Sequence, residues 1–261
     1  MKIAIGGKGG SGKTTIAGTL ARALAEARHN VVAIDADSNP NLAATLGIPD
    51  EAAAQARPLP RELIVEVADE KGEKRRTLGT PPDALVRDFG VPGPDGIRLL
   101  MGGRVGHAGV GCMCRAHANV RVLLSELVGG DWSGREIVVD LEAGLENFSR
   151  GTPRHVDAVV AVIEPYFRSM ETARRVCELA RELDIERVYG LANRVRGDSD
   201  RAMIEEFCEK NGIALVGAVP WDDALVEAER QGIAPIDYAA DAPAAAEIRR
   251  VADVLVPNGR P

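Results

Sequence analysis

The chain opens with a short apolar run, Ile3-Ala4-Ile5, and breaks into Gly7-Lys8-Gly9-Gly10-Ser11-Gly12-Lys13-Thr14-Thr15. A helical period through Ile16, Leu20 and Leu24 follows at once. Few folds place a glycine-rich loop between a strand and the helix it opens. Glycines let backbone N–H groups close around phosphate oxygens at a helix N-terminus, where the dipole also favours an anion. Lys13 is placed to reach the β and γ phosphates and the Thr14 hydroxyl to ligate Mg²⁺. The element predicts a phosphate-binding loop, and with it ATP or ADP and Mg²⁺ as ligands.

Beyond the loop, apolar strand-like runs alternate with helical periods, the pattern of a mostly parallel sheet covered on both faces by helices. Strands are predicted near 2–6, 31–35, 97–101, 136–140, 157–163, 186–192 and 213–219. Helices are predicted near 13–27, 117–129, 168–183, 199–211, 222–231 and 243–256. The fold class is α/β: a single doubly wound P-loop NTPase domain over residues 1–261, whose ligands bind beyond the carboxyl ends of the strands. Residues 48–95 break the rhythm with many prolines, mixed charge and one short strand signal at Leu63 to Val67. They read as a surface insertion, either a lid or partner-docking loop or a variable loop with no specific role.

A net charge of −7 argues against a general nucleic-acid surface, which needs clustered Lys and Arg. Lys71, Lys74, Arg75 and Arg76 read as a solvated loop. The N-terminus runs straight into a strand and no apolar run is long enough to span a bilayer, so the expectation is a cytoplasmic protein with no membrane partner. The C-terminal segment from Arg249 reads as a helix docked on the sheet, stopped by Pro257 and Gly259. Of the four cysteines, Cys177 and Cys208 fall in helical patterns and read as small core residues.

The loop carries a second lysine, Lys8, which an ordinary phosphate loop does not need. With it the motif resembles the deviant Walker A of the MinD, ParA and nitrogenase iron-protein ATPases. That resemblance implies that Lys8 reaches across a two-fold axis to the partner's nucleotide, so that the ATP-bound state is a homodimer; on its residue type alone, Lys8 also reads as a solvated loop lysine. It likewise implies that Asp37, in Asp35-Ala36-Asp37-Ser38-Asn39-Pro40, orients the attacking water and touches Mg²⁺ through water, with Asp35 supporting from the strand end. Either aspartate also reads as an Asx turn or helix cap before Pro40. Ile137-Val138-Val139-Asp140 resembles Walker B, which implies that Asp140 holds Mg²⁺ through water and that the Gly144 N–H senses the γ-phosphate. Glu142 receives no role. Asn193, in Ala192-Asn193-Arg194, resembles the adenine-contacting element of the family and offers the donor and acceptor that adenine requires. The turn at Pro220-Trp221-Asp222 completes a base pocket or simply enters a helix. The implied catalytic set is Lys8, Lys13 and Asp37.

A glycine-rich stretch, Gly102 to Gly111, ends in Cys112-Met113-Cys114 just before a helix. Two thiolates at this spacing can grip a soft or borderline ion such as Ni²⁺ or Zn²⁺, and a helix N-terminus favours the thiolate. Two ligands are half a site. His107 or His117 could complete it within one chain, or two such loops could face each other across the dimer axis and supply four thiolates; a pair of cysteines without metal is the plain alternative. Taken with the two-lysine loop and Asp140-Leu141-Glu142-Ala143-Gly144, the arrangement is similar to the CooC-type ATPases that mature carbon monoxide dehydrogenase by nickel insertion. The similarity spans nearly the whole chain, including Val162-Ile163-Glu164-Pro165 and Glu146 to Gly151. It implies an ATP-dependent metallochaperone whose client is apo carbon monoxide dehydrogenase or another nickel enzyme. Two rivals remain. A nitrogenase iron protein-like reductase would place a cluster-ligating cysteine near switch II, where Asp140 to Arg150 has none; a MinD/ParA-like positioning switch would carry a basic amphipathic C-terminal helix.

Overall fold

Apolar residues at alternate positions turn to opposite faces of a strand, so a chain that covers both faces of its sheet needs continuous apolar runs. The computed structural model shows such runs as strands; it describes residues 1–60, 62–68, 73–102, 114–127, 132 and 134–257, the side chains of 114–116 excepted. In chain order the elements are β1 (Lys2–Gly7), α1 (Lys13–Glu26), β2 (Asn30–Ala36), α2 (Leu42–Thr45), α3 (Asp50–Ala54), β3 (Ile64–Ala68), β4 (Lys74–Leu78), α4 (Pro82–Phe89), β5 (Val91–Pro92), β6 (Arg98–Met101) and α5 (Cys114–Glu126). There follow β7 (Arg135–Leu141), α6 (Glu146–Ser149), β8 (Ala158–Ile163), α7 (Phe167–Glu182), β9 (Arg187–Val195), α8 (Asp198–Lys210), β10 (Ala214–Pro220), α9 (Asp223–Gln231), α10 (Pro235–Tyr238) and α11 (Pro243–Leu255).

The main sheet runs β10-β9-β8-β1-β7-β2-β6-β5, with every pairing parallel except β5 against β6. It is therefore a mostly parallel α/β sheet. Strand order reverses at β1, which lies between β7 and β8, and that reversal opens a crevice beyond the strands' carboxyl ends. Two cores flank the sheet. Ile3 and Ile5 face one side with Leu20 and Leu24 of α1 and Ile248 of α11; Ala4, Ile137 and Val139 face the other with Leu123 of α5 and Val176 of α7. Burying a side chain such as Ile3, Ile5 or Leu20 stabilises the fold by about 1.5–3 kcal/mol each. Among the described residues no helix is long and apolar enough to cross a membrane.

The described residues of the 48–95 segment form more regular elements than its composition predicts. β3 and β4 form an antiparallel hairpin apart from the main sheet, and Lys74, Arg75 and Arg76 lie on strand β4, correcting the expected loop; Lys71 lies outside the described residues. Leu59, Leu63 and Leu85 reach the core. Val91 and Pro92 join the main sheet as its antiparallel edge, where a proline without an N–H is tolerated. The segment also grips α5: Asn119 Nδ2 donates to Pro60 O at 2.8 Å, and Thr77 Oγ1 donates to Glu126 Oε1 at 2.7 Å.

Candidate functional site: a nucleotide pocket at the sheet's reversal point

Gly12 caps α1 at φ 87°, a left-handed conformation natural to glycine, and a Cβ there would lie 2.6 Å from Asn193 Nδ2. The next residue, Lys13, is buried and donates from Nζ to Lys8 O at 3.1 Å, which spans the loop from inside. Burial pushes its pKa down, and the charges of Asp140 and Asp37 oppose that shift. Lys8 is held differently: its Nζ donates to Gly9 O at 3.3 Å and lies 5.9 Å from the centre of the Tyr166 ring.

Asp35 and Asp140 stand opposite each other in the β2–β7 register. Asp35 is fully buried, and its Oδ1 accepts from Asp37 N at 3.1 Å while its Oδ2 accepts from Leu42 N at 2.9 Å. Burial still raises its pKa to about 6. Asp140 is 1% exposed and neither of its oxygens completes a hydrogen bond in good geometry. Burial raises its pKa to about 7, with the nearby Thr14 hydroxyl and Lys13 charge pulling the other way. A buried carboxylate short of donors, beside a threonine hydroxyl, suits a divalent cation, which would repay the burial of its charge. Mg²⁺ therefore fits Asp140 and Thr14. Asp37 borders a cavity that Lys13, Thr14, Thr15 and Asn41 also line, and its Oδ1 accepts from Asn39 N at 2.8 Å in an Asx turn.

Beyond Asp140 the chain turns through Gly144, at φ 88°, whose N–H donates to Gly7 O at 3.0 Å. Glu142, without a role in the sequence, has a neighbour on each side: Ser38 Oγ donates to its Oε1 at 2.6 Å, and its Oε2 lies 3.4 Å from His117 Nε2, short of a well-formed hydrogen bond.

A second cavity shares Gly12, Thr15, Arg194 and Glu229 with the first and extends along Asn193, Val219, Pro220, Trp221 and Leu225. The apolar stretch from Val219 to Trp221 with Leu225, beside the Asn193 amide, suits a nucleobase. Asn193 turns its Nδ2 to Ser11 O at 2.8 Å, so it also ties β9 to the phosphate loop. Asp222 serves as a helix cap, accepting from Ala224 N at 3.0 Å and from Ala244 N at 3.2 Å. Arg194 donates to Gly10 O at 2.8 Å and to Glu164 Oε1 at 3.0 Å, while Tyr166 donates to the other Glu164 oxygen. Sequence reasoning gave Glu164 and Glu229 no part in the site; an acidic residue at a strand end and one within a helix carry no distinguishing local pattern.

The model of the CobQ/CobB/MinD/ParA nucleotide binding domain matches residues 2–236. The chain belongs to that family. Among curated relatives, the carbon monoxide dehydrogenase accessory protein CooC of Rhodospirillum rubrum is 39% identical over 91% of this chain and 90% of its own length. An uncharacterized ATP-binding protein of Methanocaldococcus jannaschii is 34% identical over 98% of each. In fold, the chain resembles the MinD cell division protein of Aquifex aeolicus with a TM-score of 0.72 at 22% identity, over 100% of this chain and 98% of that one. MinD from Pyrococcus horikoshii, solved with Mg-ADP, gives 0.71 at 19% identity over 98% and 96%. As a member of a P-loop ATPase family, the chain is a nucleotide-binding protein built for hydrolysis.

Unlike that nucleotide core, the predicted thiolate site falls largely beyond view. Cys112 and His107 lie outside the described residues. Cys114 is the first residue of α5, which starts three residues earlier than the periodicity predicts, so it belongs to the helix rather than preceding it. Among the described residues no group of three or more His, Cys, Asp or Glu side chains is arranged to hold a metal ion. His117 is 3% exposed and faces Glu142. Cys177 and Cys208 are buried free thiols whose pKa values burial pushes up to about 12 and about 11.

Proposed function

We propose that this chain is a Mg²⁺-dependent ATPase that serves as a metallochaperone, inserting nickel into carbon monoxide dehydrogenase or a related nickel enzyme. The observation that carries the reading is the 39% identity to CooC of Rhodospirillum rubrum over 91% of the chain, in a sequence that also bears Cys112-Met113-Cys114. In this reading residues 1–261 form one P-loop ATPase domain working in the cytoplasm, without a nucleic-acid or membrane partner.

Gly7 to Thr15 hold the phosphates, with Lys13 on the β and γ groups. Thr14, Asp37 and Asp140 would hold Mg²⁺, which would supply charge neutralisation on the phosphates. Asp37 orients the attacking water; phosphoryl transfer needs positioning and charge stabilisation more than covalent help. Asn193 and Pro220 receive adenine, and the Gly144 N–H exchanges Gly7 O for a γ-phosphate oxygen. Lys8 acts in trans in an ATP-bound homodimer, which brings two Cys112/Cys114 pairs to one Ni²⁺ or Zn²⁺.

The test is metal binding by anaerobically purified protein, measured by competition with a chromophoric chelator without nucleotide, with ADP and with a nonhydrolysable ATP analogue, alongside sedimentation. The reading expects one ion per dimer, lost in Cys112→Ser or Cys114→Ser, with an affinity that depends on nucleotide. One tightly held ion per monomer would remove the shared site. Iron and sulfide at cluster stoichiometry would move the protein to the reductase class.

A further inference from the structure

Glu142 sits where three parts of the molecule meet. Its carboxylate accepts from Ser38 Oγ at 2.6 Å, one residue past Asp37, and its other oxygen lies 3.4 Å from His117 Nε2 on α5. Two residues along the same turn, Gly144 donates to Gly7 O of the phosphate loop at 3.0 Å. His117 comes one helical turn after Cys114, and one turn further on Arg121 Nη1 donates to Arg150 O at 3.0 Å, at the end of α6. A connected path therefore runs from the phosphate loop through the 142–144 turn to the helix that begins at Cys114.

We propose that Glu142 and His117 are positioning residues that carry the nucleotide state of the phosphate loop into α5. The last step, from α5 to a metal at Cys112 and Cys114, rests on the function proposed above. The step from nucleotide to helix does not. Gly144 has one N–H, which cannot serve Gly7 O and a phosphate oxygen in the same geometry. Turning it to a phosphate moves the chain two residues from Glu142, whose carboxylate must then follow or release a partner. His117 gives that choice a consequence. It is 3% exposed and neither ring nitrogen completes a hydrogen bond in good geometry. At 3.4 Å its contact with Glu142 is long enough that a small approach makes the bond and a small retreat removes the ring's facing acceptor. Two arrangements of one element, biased by a ligand at the loop, are what coupling between sites requires. The expected coupling is about five- to 150-fold.

The experiment is hydrogen exchange of the intact protein, read at the backbone amides of residues 117–126, with Mg-ADP and with a Mg-bound nonhydrolysable ATP analogue. In the wild type these amides should differ in exchange rate between the two states by about fivefold or more. His117→Phe, which fills the same space without a polar atom, and Glu142→Ala should flatten the difference while binding of a fluorescent nucleotide is kept. Glu142→Gln, able to bond both Ser38 and His117, should restore it, which a merely space-filling role would not require. Should His117→Phe fail to fold, Glu142→Ala, whose side chain is partly exposed, decides alone. Exchange in α5 that ignores nucleotide in the wild type, or responds fully in both breaking variants, overturns the link. A nickel titration of the same samples separates the two ideas. A responsive α5 in a protein that binds no metal leaves the link and removes the metallochaperone reading, and bound metal over an unresponsive α5 does the reverse.

Discussion

β2 and β7 lie side by side, and the next-to-last residue of each is an aspartate, Asp35 on one and Asp140 on the other, opposite in register and both buried. Their surroundings are opposite. Asp35 spends its oxygens on two backbone N–H groups and so fastens the turn that leads to Asp37 and Leu42. Asp140 keeps both oxygens short of donors and has its pKa pushed higher, to about 7 against about 6. A carboxylate satisfied by backbone N–H groups fastens a turn, and one buried with its oxygens short of donors is suited to a cation. Burial and register do not separate the two roles; hydrogen bonding does.

The sharpest way to break that contrast is to substitute both. Asp140→Asn should lower ATP hydrolysis by about 10²–10³-fold, the scale for losing one well-placed electrostatic group. The melting temperature of the Mg²⁺-free protein should stay level or rise, because a buried charge short of donors has gone. A thermal scan in chelator beside a phosphate-release assay checks both, and a lower melting temperature with normal turnover would exchange the roles of the two aspartates.

Next in size is Lys8→Ala, expected to reduce turnover at least tenfold, a modest fraction of what a cationic finger contributes in trans. Nucleotide affinity, measured by titration at concentrations where the protein is monomeric, should barely change, since the Lys8 ammonium bonds its neighbour Gly9 O and faces the Tyr166 ring, whereas Lys13 reaches across the loop. Equal losses in affinity and turnover would make Lys8 a binding residue of its own chain.

Asp35→Ala should act on stability first. Leaving the buried Leu42 N–H without an acceptor costs about 2 kcal/mol, a fall of about 4–8 °C in melting temperature for a chain of this size. Unfolding in urea supplies an independent value, and an unchanged midpoint would show that the turn holds without the aspartate.

The smallest effect concerns the thiols. Cys177 and Cys208 should resist alkylation in the native protein at pH 8, because burial keeps them protonated and covered. Mass spectrometry of peptides after a short iodoacetamide pulse reads this directly. Rapid labelling of either would mean that α7 or α8 opens locally.

The order of the longer strands and helices outside residues 37–96 was legible in the sequence because its signals are local. Ile3-Ala4-Ile5, the glycines and lysines of the loop, and the 3.6-residue period of Ile16, Leu20 and Leu24 each act over a few neighbouring residues, so they can be read along the chain. The mostly parallel sheet with helices on both faces followed from their alternation. Other features depended on contacts between distant residues. No pattern near Glu142 announces Ser38, 104 positions earlier, or His117 on a different helix. Val91 and Pro92 became a sheet edge only because β6 offered an unpaired side. Asp35 and Asp140 follow similar apolar strands, and the backbone N–H groups that separate their roles are brought to Asp35 alone by a turn whose path the tertiary fold sets. Local sequence determines which elements form, since propensity and periodicity act between neighbours. Which buried polar groups find partners was decided only by the tertiary structure, because a hydrogen bond depends on distances and directions that no single segment contains.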